Sequence, residues 1–129
     1  MAKKLSVKNH SPRFLKLVTA SKALIQEISA CSLNDKLEKN QDFVLIDVRE
    51  KQEFLSGHIP TARHLSKGVI ERDIEKTIPD ITTSIVVYCS GGFRSVLAAE
   101  NLKRMGYTDV SSLRDGLSSW IDSGFSVLD

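Results

Sequence analysis

The sequence predicts an α/β protein with a mostly parallel central sheet flanked by helices. The two clearest observations are near-continuous apolar runs at residues 43–48 and 85–89, which are typical of strands buried on both faces. Segments with helical periodicity alternate with these runs, as expected when helices connect parallel strands. Ligands in such sheets bind beyond the carboxyl ends of strands, so residues that follow the two runs are candidates for chemistry.

The elements before the second run follow from periodicity and capping. Apolar residues spaced mostly three or four apart predict an amphipathic first helix: Phe14, Leu17, Val18, Leu24, Ile25 and Ile28. A short extended piece is expected at residues 28–31, then a helix capped by Ser32 and ended by Asn40. After the strand at residues 43–48, a short helix over residues 50–55 stops at Gly57, and Pro60 forces a turn.

The second half continues the alternation. A brief strand is expected at residues 62–65, and a helix over residues 69–77 ends before Pro79. The strand at residues 85–89 precedes a helix over residues 94–105 that Gly106 closes. A further strand and a last helix are expected at residues 110–113 and 117–123.

Length and composition limit the classes of function. A chain of 129 residues is one ordinary domain, and a net charge of +2 is too small to indicate nucleic acid as a partner. No stretch approaches the roughly 20 apolar residues of a membrane span, so no membrane association is expected. Two cysteines do not make a disulfide framework. A reducing compartment is therefore favoured, and we expect a cytoplasmic protein.

The chain opens with a lysine-rich segment that has no acidic residue before Glu27. This composition also fits a transit peptide, but arginine is scarce and the apolar spacing suits a helix packed on its own domain. We expect residues 1–27 to be a basic amphipathic extension and residues 28–129 to be the main domain.

Cys89 is the leading candidate for a reactive residue. It ends a strand and opens the segment Ser90-Gly91-Gly92-Phe93-Arg94-Ser95, after which a helix begins. The first N–H groups of a helix have no partner within it, and they stabilise a thiolate, which is the reactive form of cysteine. A buried structural cysteine is the alternative. The two glycines, which allow close approach of backbone to a ligand, favour the nucleophile.

Several motifs occur together in a fixed order. They are Asp47-Val48-Arg49-Glu50, Glu53-Phe54, Gly57-His58-Ile59-Pro60-Thr61-Ala62, Tyr88-Cys89 with its glycine loop, Arg94-Ser95, and Asp115-Gly116-Leu117 before Trp120. In this the chain resembles a single-domain rhodanese, a sulfurtransferase, over residues 28–127. It departs from the pattern at Asp115-Gly116, where many members carry two glycines. That loop faces the active site in the family, so the departure bears on substrate preference.

The resemblance implies a three-layer fold and a mechanism. Cys89 would attack the outer sulfur of thiosulfate, expel sulfite and hold a persulfide, whose terminal sulfur passes to cyanide or a thiol. The N–H groups of residues 90–95 would hold the anionic persulfide, and Arg94 would contact the sulfonate end of the donor. No metal or organic cofactor is implied. The partners are a small-molecule sulfur donor and its acceptor, with a protein donor or acceptor left open.

The other marked residues are expected to support this site. Asp47 and Arg49 match the family's Asp-x-Arg and would pair with each other or with Glu53. His58 follows a glycine turn and is expected to hydrogen-bond loop backbone rather than act as a base.

Five further residues have structural or peripheral roles in this interpretation. His10 and His64 lack ligand partners at metal spacing and are expected on the surface. Cys31 is expected to be a small buried residue, and Trp120 to fill the core under the last loop. Phe93 would line the mouth of the pocket, where its ring limits hydration of the persulfide.

Two other functions use a similar loop. Cysteine phosphatases and arsenate-handling enzymes also place a loop from Cys to Arg at a helix N-terminus, but with five intervening residues, whereas this chain has four. Release of phosphate from an aryl phosphate would identify them. A non-catalytic persulfide carrier or sensing module would use the same residues as the enzyme. Slow turnover with thiosulfate beside a stable persulfide would identify that module.

Overall fold

The computed structural model of the protein describes residues 10–129, which form six helices and five strands. The helices are α1 (Pro12–Lys22), α2 (Ala30–Glu38), α3 (Lys51–Ser56), α4 (Ile70–Thr77), α5 (Arg94–Arg104) and α6 (Gly116–Asp122). The strands are β1 (Gln26–Ile28), β2 (Val44–Asp47), β3 (Arg63–His64), β4 (Ser84–Tyr88) and β5 (Asp109–Leu113). The predicted alternation of strands and helices is confirmed.

The five strands form one sheet in the order β1-β5-β4-β2-β3, and every pair in it is parallel. β4 is therefore the central strand, with β5 on one side and β2 on the other. The register places Asp47 at the end of β2 opposite Tyr88 at the end of β4. Cys89 follows Tyr88, so the thiol lies beyond the carboxyl end of the central strand, as expected for a ligand site in such a sheet.

Side chains of β4 alternate between two apolar cores, because successive residues of a strand face opposite sides of the sheet. Ile85, Val87 and Cys89 pack with residues of α4 and α5 on one side. Val86 and Tyr88 pack with residues of α2 and α6 on the other. The expected three-layer α/β fold is confirmed.

The segment around α2 differs from the sequence prediction. The helix begins at Ala30, two residues before the predicted cap, and the Ser29 side chain accepts a hydrogen bond of 3.1 Å from the Ser32 backbone N–H. The extended piece predicted at residues 28–31 is wrong, since the strand occupies Gln26–Ile28. With the helix starting earlier, Cys31 lies on its outer face and is exposed, so its predicted burial is also wrong.

The first helix packs against α5, burying Val18 and Ser21. It ends at Lys22, so the predicted continuation of its apolar pattern through Leu24, Ile25 and Ile28 is wrong. The chain after it is held to the end of α5 by a hydrogen bond of 2.8 Å from Lys103 Nζ to the carbonyl of Leu24. The expected division between residues 27 and 28 falls within β1 and stays a prediction, and residues 1–9 of the expected extension lie outside the described residues. None of the helices in residues 10–129 combines the length and apolar character that a membrane crossing requires.

Candidate active site

The loop after β4 wraps around the sulfur of Cys89. Cys89 is almost fully buried, and its Sγ accepts hydrogen bonds from the backbone N–H of Gly92 at 3.2 Å and of Ser95 at 3.4 Å. The Ser95 hydroxyl lies 3.5 Å from Sγ and 2.8 Å from the hydroxyl of buried Ser112 on β5. The sulfur thus faces a set of donors at the start of α5, which is the arrangement that stabilises a negative charge.

The first turn of α6 lies against this loop and supports it. The backbone N–H of Leu117 donates to the Cys89 carbonyl at 2.8 Å, and that of Ser118 donates to the Ser90 carbonyl at 3.0 Å. Gly116 has a positive φ of 60°, and a Cβ there would lie 2.4 Å from the Cys89 carbonyl oxygen. Only glycine allows this approach of the two backbones.

Asp115, the departure from the family pattern, is part of the same turn. It is exposed and adopts a left-handed conformation with φ of 60°, which a second glycine would adopt without strain. Its backbone lies against Gly92, where a Cβ would meet Asp115 N at 3.0 Å. Gly92 itself has a φ of 90°. A side chain at this position would therefore be disfavoured twice, by the short distance to Asp115 and by the left-handed backbone, which agrees with the close approach predicted for the glycine loop.

Arg94, the first residue of α5, is paired with Glu53 on α3. Its Nη1 and Nη2 donate to the two carboxylate oxygens of Glu53 at 2.9 and 3.2 Å, and Ser90 Oγ donates to the same carboxylate at 3.4 Å. The hydrogen bond from Arg94 lowers the pKa of Glu53 to about 2. It also raises the pKa of Arg94, to which the nearby Cys89 sulfur contributes. Glu53 therefore holds the loop in place and offsets the charge of Arg94.

Asp47 and Arg49 form a buried pair with each other, one of the two arrangements that the sequence left open. Arg49 Nε and Nη2 donate to the Asp47 carboxylate at 2.8–3.1 Å, and the Arg49 backbone N–H donates to it at 2.9 Å. Arg49 Nη2 also donates to the Gly57 carbonyl at 2.7 Å. The pair links the end of β2 to the end of α3, next to Tyr88, and neither side chain lines the Cys89 cavity.

The two histidines near this pair contact backbone. His58 Nδ1 lies 2.9 Å from the Phe54 carbonyl, so its partner is the backbone of α3, and its ring stacks on Phe54 at a centroid distance of 3.9 Å. His64 Nε2 lies 2.7 Å from the Arg49 carbonyl. His64 is half-buried, so it lies at the surface with part of its side chain covered. Its partner lies 15 residues earlier along the chain, beyond the reach of a local pattern.

A cavity of about 280 Å³ opens onto Cys89. Its walls are Cys89, Ser90, Gly91, Phe93 and Arg94 from the loop, together with His10 and Phe14 from the N-terminal part of the chain. Phe93 lines the cavity as the sequence predicts. His10 is half-buried rather than freely exposed, because its ring packs 4.5 Å from that of Phe93 and 5.3 Å from that of Phe14 between centroids.

Sequence reasoning missed the contribution of His10 and Phe14 to this cavity. The amphipathic pattern predicts that the first helix packs on the domain. No local signal places that helix beside a site some 80 residues away.

Trp120 is buried as predicted and donates from Nε1 to the Ser126 carbonyl at 3.0 Å. Within residues 10–129, no three potential ligands among His, Cys, Asp and Glu come close enough to hold a metal ion.

The fold and this site define a class: a parallel α/β protein with a cysteine in an anion-stabilising loop after its central strand. Comparison with known proteins gives the family. The model of the rhodanese-like domain matches residues 29–123, and the chain belongs to that family.

Named relatives support the assignment. A sulfurtransferase of Allochromatium vinosum is 31% identical over 105 residues, which are 81% of this chain and 96% of that protein. The thiosulfate sulfurtransferase GlpE of Pseudomonas savastanoi pv. phaseolicola is 39% identical over 82 residues, 64% of this chain and 76% of that one. The polysulfide-sulfur transferase homodimer of Wolinella succinogenes superimposes with a TM-score of 0.77 at 28% identity, covering 95% of this chain and 91% of that one.

Proposed function

We propose that this protein is a sulfurtransferase that moves sulfane sulfur from thiosulfate, or a related anionic donor, to a thiophilic acceptor through a persulfide on Cys89. The observation that carries the proposal is the pair of backbone hydrogen bonds from Gly92 and Ser95 to the Cys89 sulfur. The relatives named as sulfurtransferases, one of them for thiosulfate, agree with this reaction class.

The first half-reaction forms one sulfur–sulfur bond and breaks another. The Cys89 thiolate attacks the outer sulfur of thiosulfate, the bond between the two donor sulfurs breaks with its electron pair on the leaving group, and sulfite departs. In the second half-reaction, cyanide or a thiolate attacks the terminal sulfur of the persulfide. Thiocyanate or a new persulfide leaves, and the Cys89 thiolate is restored. No outside oxidant or reductant is needed.

The surroundings of Cys89 suit both states of the sulfur. The N–H groups of Gly92 and Ser95 donate to Sγ, and the positive potential they create there would also favour the negative charge of a persulfide. Phe14 and Phe93 make one wall of the cavity apolar, which limits the access of water to that sulfur. Arg94 supplies positive charge at the same wall, although Glu53 shares it.

The reaction requires a free thiol at Cys89, and both cysteines of the chain are free. We therefore place it in a reducing compartment, the cytoplasm. The acceptor is a small thiol, cyanide or a protein cysteine that can reach the cavity.

The test compares three proteins for thiocyanate formation from thiosulfate and cyanide. Cys89→Ala should abolish it, and Cys31→Ala should retain it, because Cys31 is an exposed thiol on α2 outside the cavity. Intact-mass measurement after thiosulfate treatment should show one added sulfur atom, located on Cys89. Thiocyanate formation that survives in Cys89→Ala would refute the mechanism, and phosphate release from an aryl phosphate would replace the proposal with a phosphatase.

A further inference from the structure

Two buried serine hydroxyls form a hydrogen-bonded chain that ends at the sulfur of Cys89. Ser95 on α5 and Ser112 on β5 are each 0% exposed. Ser95 Oγ lies 3.5 Å from Cys89 Sγ, and Ser112 Oγ lies 2.8 Å from Ser95 Oγ. Burying a hydroxyl costs free energy unless it is hydrogen-bonded. Within residues 10–129, the hydroxyl of Ser112 has one hydrogen-bond partner, and that partner is Ser95.

The direction of this chain depends on the charge of the sulfur. Each hydroxyl has one hydrogen to donate. A neutral thiol can donate to Ser95 Oγ, and Ser95 is then free to donate to Ser112. A thiolate only accepts, so the hydrogen between Sγ and Ser95 Oγ has to come from Ser95. Ser95 then accepts from Ser112, and both hydroxyl groups point their hydrogens towards the negative charge.

Ser112 makes Ser95 a better donor for this purpose. A serine hydroxyl near the start of a helix has backbone carbonyl groups as alternative acceptors, and it turns towards them when nothing else holds it. A hydrogen bond received from Ser112 occupies a lone pair of Ser95 Oγ and polarises its O–H group, which strengthens the bond that Ser95 gives. Low accessibility to water strengthens the effect further.

We propose that Ser112 is a positioning residue for the nucleophile, whose hydroxyl holds that of Ser95 as a hydrogen-bond donor to the Cys89 thiolate. Ser112 acts through Ser95 and contacts neither sulfur donor nor acceptor. This role deepens the proposed function and rests on it, because the thiolate is the attacking group of the first half-reaction. It is also the group that is restored when the acceptor removes the outer sulfur.

The pH dependence of Cys89 alkylation by iodoacetamide tests this role. All proteins carry Cys31→Ala, which removes the other thiol of the chain. The alkylation rate rises with the thiolate fraction to a plateau. Ser95→Ala should move the midpoint upwards by about one pH unit and Ser112→Ala by about half a unit, both with little change in the plateau. A change of packing alone would alter the plateau instead.

Ser111→Ala is the matched control. Ser111 precedes Ser112 on β5, so its side chain faces the opposite side of the sheet. The substitution removes the same hydroxyl group from the same strand, and the midpoint should stay at its original value. An equal shift in Ser111→Ala and Ser112→Ala would overturn the proposal, because the effect would then not depend on the contact with Ser95.

A double substitution shows whether Ser112 acts through Ser95. The protein with both Ser95→Ala and Ser112→Ala should have the midpoint of Ser95→Ala alone. The charged and titratable groups around Cys89 are the same in every variant and cancel in this comparison: Arg94, Glu53, His10 and Asp115. An unchanged midpoint in Ser112→Ala, or a full additional shift in the double variant, would refute the role of Ser112.

Alkylation needs no sulfur donor, so the two proposals can fail separately. If the wild type forms no thiocyanate while the midpoints move as expected, the proposed function fails and the two hydroxyls still favour the thiolate. If thiocyanate forms while the midpoint of Ser112→Ala stays in place, the role of Ser112 alone is refuted.

Discussion

Gly116 offers a sharp test of how the loop around Cys89 is supported. In Gly116→Ala the new Cβ would lie 2.4 Å from the Cys89 carbonyl oxygen and 2.6 Å from that of Ser90. Both oxygens belong to backbone and accept hydrogen bonds from the turn, so the two segments must separate. The left-handed conformation costs a side chain roughly 1–2 kcal/mol, and each lost hydrogen bond costs roughly 0.5–1.5 kcal/mol. We expect the free energy of unfolding to fall by about 2–5 kcal/mol in total.

Gly124 provides the matched control. It too has a positive φ, of 88°, but a Cβ there has no neighbour within 4 Å. Gly124→Ala should therefore lose only the roughly 1–2 kcal/mol of backbone strain. Urea unfolding measures both changes, and the rate of Cys89 alkylation by iodoacetamide should change only in Gly116→Ala. Equal destabilisation by the two substitutions, with equal alkylation rates, would refute the view that close backbone contact holds the loop.

Three further predictions concern single groups. Glu53 has a pKa of about 2 instead of the usual 4.5, so it contributes stability above pH 4.5 that is lost as pH falls towards 2. The full shift corresponds to roughly 3.4 kcal/mol, which solvent screening of this partly exposed pair reduces to about 1 kcal/mol. The free energy of unfolding of Glu53→Gln, measured as pH is lowered, should lack that loss. If the variant loses as much stability in acid as the wild type, the pairing with Arg94 is contradicted. Tyr88→Phe removes the hydroxyl that accepts from the Ile59 backbone N–H at 3.0 Å, and thermal unfolding should show a loss of about 1–3 kcal/mol; no loss would mean that water replaces the hydroxyl. Asp115→Gly should relieve left-handed strain and raise stability in urea by roughly 1 kcal/mol, whereas a decrease would show that the carboxylate makes a compensating contact.

The sheet and the Cys89 loop were predictable because their signals are local. Buried parallel strands appear as continuous apolar runs, and the glycines beside Cys89 occupy a turn with a positive φ at Gly92. The start of α2 was harder, since Ser29 and Ser32 are both suitable caps and only the tertiary fold selects between them. With the helix starting at Ala30, Ala30 and Leu33 face the core and Cys31 is exposed.

Contacts between distant segments were out of reach of the sequence. Glu53 and Arg94 are 41 residues apart, and no periodicity connects a carboxylate on α3 with the first residue of α5. The sequence therefore left Arg94 free to meet the donor, whereas in the structure it already has a partner. The packing of His10 on Phe93 is of the same kind, because it depends on how α1 lies across α5.

The strand that carries Cys89 is bonded on both edges, to β2 and to β5. Amide groups of a strand paired on both edges belong to the class that opens with global unfolding, so we expect the base of the nucleophile to exchange slowly with solvent. The first helix, which also lines the cavity, is attached in another way, because it packs on α5 through side chains and pairs with no strand. The nucleophile and the helix beside it are therefore anchored to the domain by different kinds of contact.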